Sequence, residues 1–151
     1  MRTDPSRASL QIYGVPISVH TRKVLLAARL KSIPYVSVPV VPIIPDNPPP
    51  NWRSISPTGL IPAIDDGGYV LADSTAIVVY LERKVPEPAL LPANAQERGT
   101  ASFLDSWAGS ELFRRVMHPL FHETVVGPKL GGTAPDRAVI DTLLDERVPE
   151  A

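Results

Sequence analysis

A proline at the start of a short apolar run constrains this chain more than any other feature. The run is Ile61–Ile64, with proline at position 62, and it follows the turn-forming residues Ser56-Pro57-Thr58-Gly59. Proline cannot donate to a sheet ladder, so Pro62 belongs at the first residue, the edge or a bulge of a strand. The bond before a proline also takes the cis form at a cost of only about 0.5–1 kcal/mol. We predict a cis bond that turns the backbone of Ile61 outward, where it can pair with an extended, peptide-like ligand.

Composition limits the class of protein. The chain has 151 residues, of which 44% are hydrophobic and 21% charged, and its net charge is −1. These values are typical of a soluble globular protein. The net charge shows no excess of positive charge of the kind that binds nucleic acid. Cysteine is absent, which excludes disulfides, thiolate metal sites and thiol redox chemistry by the protein itself.

No targeting or membrane segment is visible in the sequence. Residues 1–9 carry charges and lack the apolar core of a signal peptide. The longest apolar run, Val38–Ile44, is interrupted by Pro39 and Pro42, and it is far shorter than the roughly 20 residues of a spanning helix. We therefore expect a cytoplasmic protein with no membrane partner.

The first half of the chain alternates strand-like and helix-like patterns. Leu10–Tyr13 and Tyr35–Val40 alternate in polarity, as half-buried strands do. Val19–Ser32 lies between them and has an apolar helical stripe. Strand, helix and strand with this spacing predict a right-handed βαβ unit with parallel strands, and Pro39 predicts an edge position for the second strand.

A hairpin and a helix complete this predicted domain. Gly59–Ile64 and Tyr69–Leu71 flank the turn signal Asp65-Asp66-Gly67-Gly68, which predicts two antiparallel strands. Asp73-Ser74 precedes the helical pattern Thr75–Lys84, and either residue suits the N-cap.

The second half is predicted to be helical. Ala76–Val79 is apolar on all sides, so we expect its helix to be buried against the sheet and also against a second domain. Val85–Pro92 is proline-rich and resembles a stiff linker. Helical spacing then predicts helices over residues 94–123 and 136–147, separated by a loop at 125–134. We predict an α/β domain at residues 1–86 and an all-α domain at 93–151.

Three segments, taken in order, resemble the glutathione transferase family. Tyr13–Ser18 is similar to the strand-loop-helix start of its serine-type members. Ser56–Ile64 is similar to the family's Asn-Pro-x-Gly-x-Val-Pro-x-Leu segment with its cis-proline, and Leu71–Ile77 resembles its Glu-Ser-x-Ala-Ile segment. The resemblance implies a thioredoxin-like first domain followed by a helical second domain. It covers almost all of the first domain, and the second only up to its second helix.

The resemblance also implies a function, namely an enzyme that activates its co-substrate glutathione as a thiolate for attack on a small electrophile, as in detoxification. Ile61 and Pro62 would present a backbone edge to the cysteinyl unit. Ser74 would bind the γ-glutamyl carboxylate at a helix N-terminus, and Asp73 would bind the ammonium group. Ser18 would be the catalytic residue, because a hydrogen bond to sulfur near a helix N-terminus lowers the pKa of a thiol.

The chain departs from the family pattern at several of these positions. Asp73 replaces a glutamate, and Leu60 stands where glutamine or lysine often helps to hold the peptide. Residues 41–50 lack the lysine or histidine that commonly meets the glycyl carboxylate, so Arg53 is the nearby cation for that role. We expect weak binding of glutathione.

Structural roles compete with these assignments. Ser18 and the pair Asp73-Ser74 also suit simple helix caps, and Pro62 is structural in any thioredoxin-like fold. Thr21, one turn beyond Ser18, and His20 are rival donors to the sulfur.

A metal site is the weaker interpretation of the histidines. His118 and His122 lie four residues apart and are followed by Glu123, but the order is not His-Glu-x-x-His and no third ligand is evident. We expect a surface or packing role, and no metal.

The predicted second domain is shorter than the bundle of five or more helices that the family implies, so we interpret it as incomplete. We expect this to leave Ile77, Val78, Phe103 and Leu143 more exposed than usual, which would favour a homodimer or make the chain unstable. Two kinds of function stay open: a transferase, or a related isomerase or dehalogenase, and a non-catalytic binding or interaction module.

Overall fold

In the computed structural model, which describes residues 10–150, a four-stranded sheet forms the first half of the chain. Its strands β1 (Leu10–Tyr13), β2 (Tyr35–Val38), β3 (Ala63–Asp66) and β4 (Tyr69–Ala72) lie in the order β2-β1-β3-β4. β1 and β2 are parallel, whereas β3 is antiparallel to both of its neighbours. The predicted βαβ-ββα order is confirmed, as is the edge position of the second strand.

The third strand begins later than predicted. It covers Ala63–Asp66 rather than 59–64 because Pro62 has no N–H to give to the ladder. The hairpin turn is made by Gly67 and Gly68, whose φ angles of 64° and 98° suit glycine. The N–H of Gly68 donates to Asp65 Oδ1 at 2.7 Å, which fixes the turn.

Three helices accompany the sheet: α1 (Val19–Leu30), α2 (Trp52–Ile55) and α3 (Ser74–Lys84). α1 and α3 pack against each other. The largest fully buried side chains between these helices and the sheet are Leu10, Ile12, Val24, Ile64, Ile77 and Leu81. Burying each of these side chains contributes about 1.5–3 kcal/mol to the stability of the unit.

The expectation that α3 is buried on two sides is wrong. Ile77 is fully buried, but Val79 is 49% exposed. The buried residues of the helix, which include Ile77 and Leu81, lie on one face. Val78 is half-buried against the core, and Val79 is exposed.

The linker is attached to the first unit through a buried lysine. The side chain of Lys31, at the C-terminal end of α1, is 0% exposed and pairs with Glu82 of α3. Its ammonium donates to the carbonyls of Val85 and Pro88 at 2.6 and 3.0 Å. Contacts divide the chain between Pro92 and Ala93, so the linker belongs to the first compact unit.

The second unit is helical over a longer stretch than predicted. α4 (Ala95–Trp107) continues through π-type turns at Ala108–Met117, α5 (His118–Phe121) and further π-type turns at His122–Gly131. The loop predicted at 125–134 is therefore wrong for most of its length. Wide i→i+5 turns accommodate proline within a helical segment, and the helix ends at Gly132, where φ is 66°.

A final helix follows this long segment. α6 (Arg137–Thr142) is capped by Asp136 and continues in π-type turns at Leu143–Arg147. Leu143 is buried, as is Ile77 in the first unit, so the prediction that these two residues are exposed is wrong. Phe103 is 63% exposed, as predicted. No helix within residues 10–150 has both the length and the apolarity needed to cross a bilayer.

Candidate functional site

The sheet brings three separate segments to one edge. Tyr13 is the ladder partner of Ala63, and Ala63 is the partner of Ala72. Extending this register by one residue places Pro62 between the loop after β1 and Asp73 at the start of α3. The segments that were singled out from the sequence are therefore neighbours through backbone pairing.

The Ile61–Pro62 segment presents unused backbone groups at this edge. The Ile61–Pro62 peptide bond is cis. Pro62 is buried and Ile61 is half-buried. Among residues 10–150, the N–H and C=O of Ile61 have no hydrogen-bond partner. Buried backbone N–H and C=O groups are nearly always hydrogen-bonded in folded proteins. An extended ligand could form the hydrogen bonds that these two groups of Ile61 lack.

Two buried side chains that the sequence interpretation missed hold the loop before Ile61. Trp52 Nε1 donates to the carbonyl of Gly59 at 3.0 Å, and Ser56 Oγ donates to the carbonyl of Leu60 at 2.7 Å. Both residues are buried. A tryptophan inside a proline-rich stretch was the available signal, because a loop needs such anchors to keep one conformation.

Arg53 lies on the same loop. Its Nη1 donates to the carbonyl of Pro57 at 3.0 Å, and the residue is exposed. A Cβ at Gly59 would be 2.7 Å from Arg53 Cζ, and φ at Gly59 is +74°, so glycine is required beneath the guanidinium. The structure thus fixes a cation just before Ile61.

Ser18 is the N-cap of the twelve-residue helix α1. Its Oγ accepts a hydrogen bond from the N–H of Thr21 at 3.2 Å, and the side chain is half-exposed. No group within residues 10–150 accepts the proton of this hydroxyl. The cap orients the oxygen, and the O–H can donate to an incoming ligand.

The rival donor Thr21 faces the interior. It is 1% exposed, and its Oγ1 has no hydrogen-bond partner among the described residues. A Cβ at Gly14 would be 2.5 Å from that oxygen, and φ at Gly14 is +145°. His20, the weaker rival, is half-exposed. Burial therefore favours Ser18 over Thr21 as a ligand-contacting hydroxyl.

Asp73 and Ser74 begin α3. Asp73 has a φ of 82°, which is a strained value for a residue other than glycine and is frequent at functional sites. Its Oδ1 accepts from the N–H groups of Thr75 and Ala76, both at 2.9 Å. Ser74 is only 6% exposed, yet neither its N–H nor its hydroxyl has a partner within residues 10–150. The helix start thus combines a capping carboxylate with unused donors.

A nearby tyrosine does not offer a second reactive hydroxyl. Burial and the charge of Asp65 raise the pKa of Tyr13 above its ordinary value, and its hydroxyl donates to Gln11 Oε1 at 3.0 Å.

In the second unit, His118 packs edgewise on Phe113, and His122 Nδ1 lies 3.4 Å from Glu123 Oε1. The two histidines thus contact their own helical neighbours.

Comparison with known proteins agrees with this geometry. The N-terminal domain of glutathione S-transferases matches residues 12–89, just over half of the chain. Glutathione S-transferase Z2 of Arabidopsis thaliana is 38% identical over 96 residues, which are 64% of this chain and 43% of that protein. Across this and two further curated relatives, the chain spans 40% to 60% of their length.

Solved structures share the fold of both units. A glutathione S-transferase from Rhodospirillum rubrum has a TM-score of 0.83 at 27% identity, with 93% of this chain and 63% of that chain covered. A theta class glutathione S-transferase from Xanthomonas axonopodis pv. citri, solved with glutathione bound, has a TM-score of 0.75 at 31% identity, with 91% of this chain and 64% of that chain covered. The sheet order, the edge segments and the family match lead to one conclusion: this chain belongs to the glutathione S-transferase family.

Proposed function

We propose that the first unit binds glutathione along the edge formed by Ile61, Ser74 and Ser18, and activates it as a thiolate for transfer to a small electrophile. The observation that carries this proposal is the set of unused hydrogen-bonding groups at one end of the sheet. They match a short peptide with a carboxylate at each end and a thiol between them.

The cysteinyl unit would pair with the backbone of Ile61. Two antiparallel hydrogen bonds, one from the N–H and one to the C=O, would extend the sheet edge by one ligand residue. Pro62 supports this geometry because it gives no N–H that would compete for the same ladder.

The two ends of the ligand would meet opposite charges. The γ-glutamyl carboxylate would accept from the N–H and hydroxyl of Ser74, at the positive end of the α3 dipole. Asp73 would bind the ammonium through Oδ2, since Oδ1 already caps the helix. Arg53, fixed on the loop before Ile61, would meet the glycyl carboxylate.

Ser18 would stabilise the sulfur anion. Its O–H would donate to the thiolate, and the α1 N-terminus would add a favourable field. A decrease of two units in the thiol pKa corresponds to about 2.7 kcal/mol. The thiol proton passes to solvent and the sulfur lone pair forms the new S–C bond. The electrophile's leaving group, or its polarised double bond, takes the displaced electron pair.

The same proposal includes the cellular setting. The cytoplasm keeps thiols reduced, so glutathione would be present there, and conjugation of electrophiles would serve detoxification. A homodimer is also proposed, because large apolar side chains such as Phe103 and Leu104 are exposed. Sedimentation over a range of protein concentrations tests it, and a monomer at every concentration would contradict it.

The test of the function is calorimetric titration with glutathione, combined with the ultraviolet absorbance of the bound thiolate. We expect wild type to bind glutathione at millimolar concentration or below and to lower its thiol pKa, and Ser18→Ala to bind with similar affinity but without the decrease. Thr21→Val is the matched control and should behave as wild type.

Two outcomes would point away from the transferase. No binding by wild type at millimolar glutathione would exclude glutathione-dependent chemistry. Binding without a decreased thiol pKa would favour a non-catalytic binding module. With an active thiolate, identification of the product separates conjugation from isomerisation and dehalogenation.

A further inference from the structure

Leu60 has the most exposed large apolar side chain within residues 10–150, at 66%. An exposed leucine is ordinary in a soluble protein, but this one directly precedes Ile61, whose backbone N–H and C=O are unused. The backbone of Leu60 is fully engaged, because its N–H donates to Thr58 Oγ1 at 3.3 Å and its C=O accepts from Ser56 Oγ at 2.7 Å. The loop therefore fixes the backbone of Leu60 and leaves its side chain in solvent.

The engaged backbone of Leu60 and the unused backbone of Ile61 match the two kinds of pair in an antiparallel ladder. A residue that exchanges both hydrogen bonds with its partner is flanked by residues whose N–H and C=O point away from the partner strand. Ile61 has the free groups for the first kind of pair, and Leu60 already uses its groups within its own loop, as the second kind requires. A ligand residue opposite Leu60 would contact it through side chains, which lie closer together in this kind of pair.

The direction of an antiparallel ligand decides which of its residues lies opposite Leu60. With the cysteinyl unit opposite Ile61, the γ-glutamyl side extends towards β3 and the start of α3, where Ser74 lies. The C-terminal side extends the opposite way, towards Leu60 and the guanidinium of Arg53 beside Gly59. Both directions agree with the ligand ends assigned in the proposed function, so the third residue of the peptide lies opposite Leu60.

We propose that Leu60 determines specificity for the third residue of the peptide, and that the site prefers a γ-glutamyl-cysteinyl peptide with a small apolar L-residue at that position over glutathione. This inference rests on the proposed function. Glycine offers no side chain to Leu60, so glutathione would leave the leucine in water. A methyl group on the third residue would cover part of the leucine, and burying one such carbon favours binding by up to about fourfold.

The test compares three peptides by calorimetry on the full chain. They are glutathione, γ-glutamyl-cysteinyl-L-alanine and γ-glutamyl-cysteinyl-D-alanine, which share the thiol, the ammonium group and both carboxylates. In an antiparallel pair the L-methyl group lies on the same face as the Leu60 side chain, whereas the D-methyl group points away from it. Wild type should bind the L-alanine peptide about two- to fourfold more tightly than glutathione, and the D-alanine peptide no more tightly than glutathione.

Two leucine variants make the result specific to this position. Leu60→Ala should remove the preference, so that glutathione and the L-alanine peptide bind equally. Leu26→Ala is the matched control, because Leu26 of α1 is a leucine of similar exposure, at 57%, and it should keep the wild-type preference. Both side chains are exposed, so the unfolding midpoints of the two variants should lie close to that of wild type.

The outcomes separate this inference from the function on which it rests. If wild type binds glutathione as tightly as the L-alanine peptide, or prefers the D-form, Leu60 has no such role and the proposed function stands. A preference for the L-alanine peptide that persists in Leu60→Ala would also overturn the role of Leu60. If wild type binds none of the three peptides at millimolar concentration, the proposed function and this inference both fail.

Discussion

Lys31 Nζ and Glu82 Oε2 are 2.5 Å apart and join the end of α1 to α3 beneath the linker. The Lys31 side chain is completely buried, and that of Glu82 is 10% exposed. Glu82 also accepts from the N–H of Leu90, at 3.2 Å for each oxygen. Lys31 in turn donates to the carbonyls of Val85 and Pro88. The pair therefore supplies hydrogen-bond partners to backbone groups of the linker, which has no regular secondary structure.

Breaking this pair should strongly destabilise the first unit. Lys31→Met leaves the Glu82 carboxylate buried without its partner, and removing one member of a buried pair costs about 3–5 kcal/mol. The double variant Lys31→Met/Glu82→Leu should recover much of the loss, since it leaves no buried charge. Urea unfolding of the three proteins checks this, and a single variant as stable as wild type would contradict it.

The pair also predicts a dependence of stability on pH. Burial opposes ionisation of Glu82, but the hydrogen bonds from Lys31 and from the N–H of Leu90 outweigh it, so the pKa of Glu82 lies below its ordinary value near 4.5. A carboxyl group whose pKa is lower in the folded than in the unfolded protein stabilises the fold at a pH above its unfolded-state pKa. That stabilisation is lost as the pH falls through the folded-state pKa. Unfolding midpoints should therefore decrease below about pH 4.5. The double variant should show a flatter decrease, and equal slopes would be inconsistent with this origin.

Replacing the buried hydroxyl of Thr21 should stabilise the protein. Thr21→Val exchanges a hydroxyl without a partner for a methyl group of similar size, and such orphaned groups cost roughly 1–3 kcal/mol. We expect a gain of about 1 kcal/mol in thermal unfolding. Thr21→Ser, which keeps the hydroxyl and loses the methyl, is the control and should be less stable than wild type. A loss of stability in Thr21→Val would show that the oxygen is solvated.

Asp73 allows its structural and binding roles to be separated. Asn keeps an oxygen for the N–H groups of Thr75 and Ala76 and tolerates a positive φ, but it has no charge. Asp73→Asn should remain within about 0.5 kcal/mol of wild-type stability and should bind glutathione several-fold more weakly. Asp73→Ala should lose both the cap, at a cost of about 1 kcal/mol, and the binding. Unfolding and calorimetry on the same samples check this, and unchanged binding by Asp73→Asn would remove Asp73 from the proposed site.

Much of the first unit could be predicted because its signals are local. Alternation identified β1 without error, the pair Gly67-Gly68 marked the hairpin, and Asp73 was one of two predicted caps. The start of β3 was missed by four residues, since an apolar pattern does not reveal where ladder pairing begins. The helical length of the second unit was underestimated because proline and glycine usually indicate the end of a helix. In this unit the π-type turns at His122–Gly131 contain Pro128.

The site was predicted in part for a similar reason. Ser18, Ile61 and Ser74 belong to segments with distinctive sequences, so a resemblance could identify them. Trp52 and Ser56 act through contacts that are hidden within a loop. No periodicity marks such contacts, and only the folded chain shows them.

The shared register of Tyr13, Ala63 and Ala72 has a consequence for how this protein can vary. Backbone hydrogen bonding between the strands sets the distance between the three edge segments. The identity of the side chains along the strands has little influence on that distance. Sequences of this kind can therefore diverge widely within the sheet and still preserve the site. An insertion or deletion of a single residue in β1, β3 or β4 would shift the pairing register of that strand by one residue. The edge segment that follows or precedes the strand would then be displaced from the other two, although the protein could still fold.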